Sequence, residues 1–325
     1  MGLALAVVVG WSVVWFVAAT VVDRQLDKAI LNAEARGATL SCVNRTVAGY
    51  PFRIEVRCGA GSHAGSGGNR IALSGLRVAA QVYNPSHIIA EADGPMQVAL
   101  GEGQRGVADW TLAHASARID LSGQALRQLV AELTDVTLAM ETGREVTVGE
   151  IDASVRRDPE AVDDLGVALR LEDVVPAPGM PPATLSLRGR VGGGAALLEA
   201  EPAVFAAQLM TSGLPLEVEA ATLRSGDVLL ALSGTLTLGT DGLVDGVLDV
   251  SVAGYEGEVP YVAVLDPEAG SMVSSLMTNF FANAPKTKIG EREARTMSVI
   301  IDNSQVKPGG WFTVWTLPPL LIASH

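Results

Sequence analysis

The chain has 325 residues, of which 48% are apolar and only 5% aromatic, and its formal net charge is −13. A mean hydropathy of +0.31 provides ample material for a core built mainly of Val, Leu and Ala. Nucleic-acid binding depends on clustered Lys and Arg that neutralise phosphates, and because the sequence has no such block we predict no nucleic-acid partner.

An uncharged apolar run, Leu3 to Val22, lies near the start of the chain. At 1.5 Å per residue a helix of this length spans roughly 30 Å, the thickness of the hydrocarbon core of a bilayer. A cleaved signal peptide is the alternative, with Val17-Ala18-Ala19 as its cleavage site. No Lys or Arg precedes the run, and the run exceeds a usual signal core. We therefore predict a transmembrane anchor over 1–22 that contacts the lipid bilayer through residues 3–22.

The helical pattern continues beyond the apolar run. Apolar residues recur on one helical face from Val22 to Ala33. Gly37 is a typical helix end. These features predict an amphipathic helical stalk over 23–37.

The two cysteines of the sequence, Cys42 and Cys58, flank the turn segment 49–52 and the alternating run Arg53–Arg57. A hairpin here would bring the thiols together, and we predict a disulfide; two unpaired buried thiols are the alternative. Lys and Arg favour the cytoplasmic side of a membrane, and near the apolar run they occur only after it. They therefore mildly favour a cytoplasmic position for the rest of the chain. Disulfides, however, persist in oxidising compartments. The cysteines therefore predict that the chain beyond the anchor lies outside the cytoplasm.

Patterns with period two, typical of β-strands, occupy most of the remaining chain. Short turns separate them, which favours antiparallel pairing. The predicted turns include Asp93-Gly94-Pro95, Ser225-Gly226-Asp227 and Asp241-Gly242. The predicted strands are Arg53–Arg57, Ile71–Val82, Ile88–Ala92, Ala115–Leu121, Val146–Val155, Val167–Leu171, Thr184–Leu187, Leu216–Leu223, Val228–Leu238, Val247–Val252 and Met297–Ile301.

Three amphipathic helices are predicted among the strands. They cover QALRQLVAEL (124–133), part of 195–211, and 267–284, where Asp266 caps the start and Pro267 suits the first turn. The apolar stripes of the first and third helices either line a groove or fill a core. The residues predicted to line the groove are Leu126, Leu129, Val130, Leu133, Met272, Leu276, Met277 and Phe280.

The expected fold class is α+β and mostly antiparallel β. A transmembrane helix precedes a curved β-sheet, a groove or half-barrel, with the amphipathic helices on its concave face. The Pro-rich connector 176–182 is predicted to divide a first β-rich half, 38–175, from a second, 183–325. The segment 48–56 partly recurs at 212–220, which predicts an internal duplication. Chance similarity between short turn sequences is the alternative.

Sequence patterns of enzyme chemistry are absent. The four histidines lie far apart, and no nucleophile elbow, P-loop or His-Glu-x-x-His motif occurs. No metal-ligand spacing surrounds the cysteines. We therefore expect no enzymatic activity, no cofactor and no bound metal.

Three motifs together carry a resemblance to a known family. They are C-x-x-R-x-x-x-G-Y-P-F-R-I-x-x-x-C (42–58), YNPSHIIAEADGP (83–95) and Asp109-Trp110 before ASARIDL (115–121). On these motifs the chain resembles the domain of unknown function 2125 family, mostly alphaproteobacterial envelope proteins with one N-terminal membrane segment. The similarity is most specific over 10–121 and extends to WTLPPL (315–320). The family has no established activity. Its architecture looks similar to AsmA-like proteins, whose folded sheets carry lipid, by analogy of fold alone.

Two functions are consistent with these features. In the first, a protein anchored by a single pass in the bacterial inner membrane, with most of its chain periplasmic, holds a phospholipid or acyl chain in a curved-sheet groove. Met-containing stripes favour this function because Met adapts to flexible ligands. In the second, the protein is an envelope scaffold without a small ligand, and the same stripes fill its core. No motif names a ligand, a protein partner or an oligomeric state.

Overall fold

The computed structural model describes residues 2–35, 37–65, 69–99, 104–120, 125–198, 211, 213–254 and 281–318. Two compact units divide the chain, Met1–Thr147 and Val148–His325. Their strands pair with their neighbours in antiparallel fashion, as the short turns predict. The mostly antiparallel β architecture with an N-terminal helix is therefore confirmed.

The helix α1, Gly2–Ala35, covers the predicted anchor and stalk without a break. It is long and apolar enough to cross a membrane. Its uncharged first part contains β-branched residues that a helix tolerates when it is surrounded by lipid or protein. At the other end, Gly37 adopts a positive φ of 75°, where glycine has no Cβ penalty, and the chain turns into the first strand.

The strands of the first unit form a meander beside α1. The hairpin has two interrupted arms that keep one register, from Thr39 opposite Ala64 to Ala48 opposite Glu55. The strands are β1 Thr39–Val43, β2 Thr46–Ala48, β3 Arg53–Cys58, β4 Ala60–Ala64, β5 Arg70–Gln81, β6 Asn84–Ala99, β7 Arg105–Asp109, β8 Leu112–Ile119 and β9 Leu126–Met140. β3 and β4 pair with β5, β5 with β6, β6 with both β7 and β8, and these two with β9.

The second unit contains strands that mostly pair in chain order, with β10 starting just before its boundary. They are β10 Glu145–Arg157, β11 Leu165–Val174, β12 Ala183–Val191, β13 Leu214–Ser225, β14 Val228–Leu238, β15 Val244–Ala253, β16 Lys286–Ile289, β17 Arg292–Asp302, β18 Gln305–Pro308 and β19 Trp315–Thr316. β17 pairs with β15, β16 and β18. A short 3-10 helix, Gly194–Leu198, follows β12. The buried apolar clusters among the described residues lie in this unit, one of them formed by Leu238, Val244 and Ile301.

Every predicted strand overlaps an observed one, although Leu121 lies outside the described residues, but the predictions for 124–133 and 93–95 are wrong. Residues 126–133 belong to β9 and not to a helix, because all of them except Arg127, at a register shift, pair with β8, and β-branched residues continue the strand beyond them. Asp93-Gly94-Pro95 is not a turn. It lies inside β6, where a register shift opposite β5 marks a bulge and β6 changes its second partner from β8 to β7.

The division of the chain also differs from the predicted one. Residues 176–182 join the paired strands β11 and β12 inside the second unit, and the boundary between the units falls after Thr147 in the sequence. Of the second predicted helix, the described part is the 3-10 turn Gly194–Leu198, together with Thr211. Most of the third predicted helix, including Met272, Leu276, Met277 and Phe280, lies outside the described residues.

Candidate functional site

Five neighbouring strands of the first unit present one apolar side. Directly paired residues of adjacent strands lie on the same side of a sheet. Val56, Val78, Ala90, Ala115 and Ala131 form one such row across β3, β5, β6, β8 and β9. We call the whole set the apolar face: Ile54, Val56, Leu76, Val78, Ala80, Ile88, Ala90, Ala92, Ala113, Ala115, Ala117, Leu129, Ala131 and Leu133.

The middle of the apolar face is lined by small side chains. Except for Ile88, β6 and β8 contribute only alanines to it: Ala90, Ala92, Ala113, Ala115 and Ala117. Larger residues stand on both sides, Leu76 and Val78 on β5 and Leu129 and Leu133 on β9. These two flanking strands lie roughly 14 Å apart, three strand spacings. The result is a shallow channel with an alanine floor, the alanine trough.

The described residues leave the apolar face incompletely covered. None of its fourteen side chains is buried, and Leu129 keeps 37% of its surface exposed. Apolar surface left in water costs about 25 cal/mol per Å² relative to burial. A continuous face of this kind therefore favours an apolar occupant.

The opposite side of the same strands is polar and its charges are paired. Glu55 is only 1% exposed and accepts from Arg53, whose guanidinium lies 2.9 Å away, and from Arg57. Arg77 donates to Glu91 across β5 and β6 at 2.8 Å. Because each of these guanidinium groups already has a carboxylate partner, this side does not single out an anionic ligand.

A cavity of about 280 Å³ lies on this polar side, lined by residues that include Gln81, His87 and Ile89. The His87 Nε2 atom lies 2.8 Å from the Ser116 hydroxyl. This contact is a hydrogen bond between β6 and β8, and its length is also within the reach of a Ser–His nucleophile–base pair.

The predicted disulfide joins Cys42 and Cys58, with a Cα–Cα distance of 5.0 Å. It bridges the two arms of the hairpin beside the interruption at Asn44 and Gly59, where the Gly59 amide donates to the Val43 carbonyl at 2.8 Å. The prediction from cysteine spacing is confirmed. The covalent link holds the two halves of the hairpin together where its strand pairing is broken.

The tip of this hairpin is bound to α1 within the apolar run. The Trp11 indole N–H donates to the Pro51 carbonyl and the Trp15 indole N–H to the Arg53 carbonyl, both at 2.8 Å. The Tyr50 ring packs edge-on against Trp15, with centroids 5.6 Å apart. The two tryptophans are thus fixed by hydrogen bonds to the backbone of one turn.

A second contact joins the hairpin to α1, nearer to the C-terminal end of the helix. Arg45 lies 3.0 Å from Asp23 and donates to Asp27 at 2.7 Å. The hydrogen bond to Asp27, together with the charges of both carboxylates, raises the pKa of Arg45 above its ordinary value. Since an arginine is protonated at every relevant pH, the effect is a permanent ionic contact between helix and hairpin.

The predicted groove residues are distributed differently from the prediction. Leu129 and Leu133 lie on the apolar face, but Val130 lies on the opposite side, because side chains alternate in a strand. Leu126 lies opposite Ile119, beyond a register shift. Sequence reasoning missed the alanine trough. Its signal is the alternation of Ala with polar residues in 90–92 and 113–117, which contains no large hydrophobic residue.

The second unit has an apolar side of the same type, but part of it is covered. Leu171, Leu185, Leu223, Leu230 and Val252 oppose one another across five consecutive strands from β11 to β15. Residues 281–284, the described part of the third predicted helix, pack on this side of the sheet at Val252.

The side chains of Phe281 and Ala284 form this cover over Val252. Phe281 is 2% exposed and forms a buried cluster with Val252 and Ala284. Leu230, Val250 and Met297 pack around it. The C-terminal end of the predicted helix 267–284 therefore lies on the apolar side of the second unit.

Comparison with known proteins gives a family and no neighbour of established activity. No curated protein and no solved structure matches the chain, so the analogy with AsmA-like proteins stays a prediction. A family model described as "Uncharacterized protein conserved in bacteria (DUF2125)" matches residues 15–310. The match includes the hairpin, the apolar face and strands β10 to β18 of the second unit. The chain therefore belongs to this DUF2125 family of bacterial proteins.

Proposed function

We propose that the protein is a non-enzymatic lipid-handling protein, anchored in the bacterial inner membrane by α1, that holds phospholipid acyl chains against the apolar face of its periplasmic first unit. The observation that carries the proposal is the incompletely covered alanine trough. A flat apolar surface with a narrow, small-residue channel suits a flexible hydrocarbon chain. It offers contact along the length of the chain and needs no specific hydrogen bond.

The energetics of such binding are favourable without any polar recognition. Each methylene removed from water contributes about 0.8 kcal/mol. A chain that covers several rows of the trough therefore gains several kcal/mol, which offsets part of the entropy lost on ordering. Because the charges of the polar side are paired with one another, they do not select a particular headgroup. The proposal therefore includes phospholipids with different headgroups.

The periplasmic placement of the ectodomain rests on the disulfide. Cys42 and Cys58 are bonded, and structural disulfides persist in oxidising compartments. A β-sheet tethered to the inner membrane on its periplasmic side lies next to the phospholipids that it would bind.

The test uses the full-length protein in vesicles that contain a phospholipid with a photoactivatable acyl chain. Ala90→Trp places a large ring in the trough. Ile89→Trp, its neighbour in the chain, places the same ring on the other side of β6, where Ile89 is 37% exposed. We expect Ala90→Trp to reduce lipid cross-linking to the first unit and Ile89→Trp to leave it near the wild-type level.

The result that contradicts the proposal is equal cross-linking in both variants and the wild type. A drop in melting temperature for Ala90→Trp alone, with cross-linking unchanged, would identify the apolar face as packed core, since overpacking costs roughly 1–3 kcal/mol.

The second candidate is an envelope scaffold without a small ligand. The observation that favours it is the cluster of Phe281, Val252 and Ala284, where a segment of the chain itself fills the apolar side of the second unit. Under this function the first unit would also be covered by protein, and the photoactivatable phospholipid would not cross-link to the trough.

A further inference from the structure

Two turns of the first unit lie side by side at one end of its strands. The hairpin turn, 49–52, and the β5–β6 turn, 82–83, are joined by a hydrogen bond from the Val82 amide to the Phe52 carbonyl at 3.0 Å. Arg53 opposes Gln81 directly beyond them. We call these two turns the tip edge.

The tip edge exposes three aromatic side chains. Tyr50, Phe52 and Tyr83 keep 48%, 66% and 67% of their surfaces exposed. Aromatic residues make up only 5% of the chain, so three exposed rings on two adjacent turns are a concentration of a rare residue type. Rings with one apolar body and a polar tip, such as Tyr, are favoured at the boundary between lipid and water.

The contacts with α1 set the level of the tip edge relative to the membrane. Pro51 and Arg53 accept hydrogen bonds from Trp11 and Trp15. Both tryptophans lie inside the apolar run 3–22, and Trp15 is roughly 10 Å of helix before the end of that run. A turn fixed at this level cannot stand clear of a bilayer that surrounds the run.

We infer that the tip edge inserts into the membrane at the level of Trp11 and Trp15, with Tyr50, Phe52 and Tyr83 in contact with lipid. The first unit then stands on the bilayer with its strands end-on. The Arg53 guanidinium is 57% exposed and paired with Glu55, and its long side chain lets the charge lie nearer to the headgroups than the turn does. The inference takes only the anchor from the proposed function and does not require that the trough binds lipid.

The far end of the same unit supplies a matched control. Glu141 donates its amide to the Arg105 carbonyl, and Arg105 opposes Ala99, which opposes Arg70 at the other end of β5. With twelve residues, β5 separates the two ends by roughly 36 Å. Thr142, in the turn after β9, is exposed at this far end.

The experiment measures lipid contact site by site. The native cysteines are bonded to each other, so under non-reducing conditions a single added cysteine takes an environment-sensitive fluorophore. The labelled variants are Phe52→Cys and Tyr83→Cys, with Thr142→Cys as the control and Val9→Cys as the reference within the apolar run. The full-length protein is placed in phosphatidylcholine–phosphatidylglycerol vesicles whose acyl chains carry a quencher near the middle of the chain.

We expect the labels at 52 and 83 to lose at least about half of their emission and the label at 142 to lose almost none, because only the tip edge meets lipid. Quenching at 9 without quenching at 52 and 83 overturns the inference and leaves the anchor intact. Absence of quenching at 9 as well overturns both the inference and the anchor of the proposed function.

Discussion

Glu55 is a buried carboxylate held between two half-exposed guanidinium groups. Its own surface is 1% exposed, whereas Arg53 and Arg57 reach solvent. The two kinds of partner therefore respond differently to removal. An exposed arginine without its carboxylate is solvated by water, but a buried carboxylate without its arginines is not.

This asymmetry gives a stability prediction. The double variant Arg53→Met/Arg57→Met should lose about 3 kcal/mol of unfolding free energy, because the Glu55 charge stays buried and unpaired. Glu55→Gln should lose less. Chemical denaturation of the variants in the same detergent measures the unfolding free energy of each. Arg105→Met is the control, and we expect almost no change because its partner Glu141 is exposed and 4.0 Å away. A larger loss in Glu55→Gln would contradict the asymmetry.

The disulfide supports a second prediction at this scale. The bonded cysteines are 16 residues apart, and closing a loop of that size contributes roughly 3 kcal/mol in the chain-entropy model. Cys42→Ser/Cys58→Ser should therefore unfold at lower denaturant concentration than the wild type. A reductant should destabilise the wild type to the same level and leave the variant unchanged. Equal stability of the oxidised protein and the variant would show that the link is dispensable.

Two glycines on the paired strands β14 and β15 of the second unit lie where any side chain would clash with the backbone of the partner strand. Gly234 on β14 has a φ of 147°, and a Cβ there would lie 2.2 Å from the Val247 carbonyl oxygen. A Cβ on Gly246 of β15 would lie at the same distance from the Thr235 carbonyl oxygen. Both contacts are with backbone, which cannot rotate away as a flexible side chain does.

Gly234→Ala should therefore destabilise the protein by more than the roughly 1–2 kcal/mol that a positive φ alone costs a non-glycine residue. Gly226→Ala is the matched control. Its φ is 53°, but its Cβ would meet open space, so the backbone term acts there by itself. Melting temperatures of the two variants decide the question. A similar loss in both would mean that β14 and β15 can move apart without cost.

The elements that the sequence predicts well are those specified by local pattern. Period two locates the strands, and cysteine spacing around a turn locates the disulfide. The segment 124–133 shows the limit. Its leucines fit one helical face, but β8 supplies hydrogen-bond partners along β9, and pairing between segments is not visible in a local period. Asp93-Gly94-Pro95 has turn chemistry and forms a bulge, because β6 continues on a second partner.

The candidate site was predictable only in part for a related reason. Large hydrophobic stripes draw attention to a core, whereas the trough consists of alanines placed side by side by strands that are distant in sequence. Ala90 meets Ala115 only after β6 and β8 pair. The hairpin motif could be located, but its docking on Trp11 and Trp15 depends on a contact across about 40 residues.

At the scale of the whole molecule, the orientation in the membrane is the property that the proposed function needs first. A phosphatase reporter fused after His325 should be active, because the fusion point would lie in the oxidising compartment where that enzyme folds. A reporter that works only in the cytoplasm, fused at the same point, should be inactive. The reverse pair of results would contradict the periplasmic assignment and remove the basis of the lipid proposal.

The contacts between α1 and the hairpin fix the first unit to the helix that we propose as the membrane anchor. Indole hydrogen bonds hold the tip, and Arg45 holds Asp23 and Asp27 higher on the same helix. Two attachment points along one axis leave no free hinge between them. Transmembrane helices adapt to thinner or thicker bilayers largely by tilting. With α1 as the proposed anchor, a change in membrane thickness would therefore incline the β-strands of the first unit by the same angle as the helix.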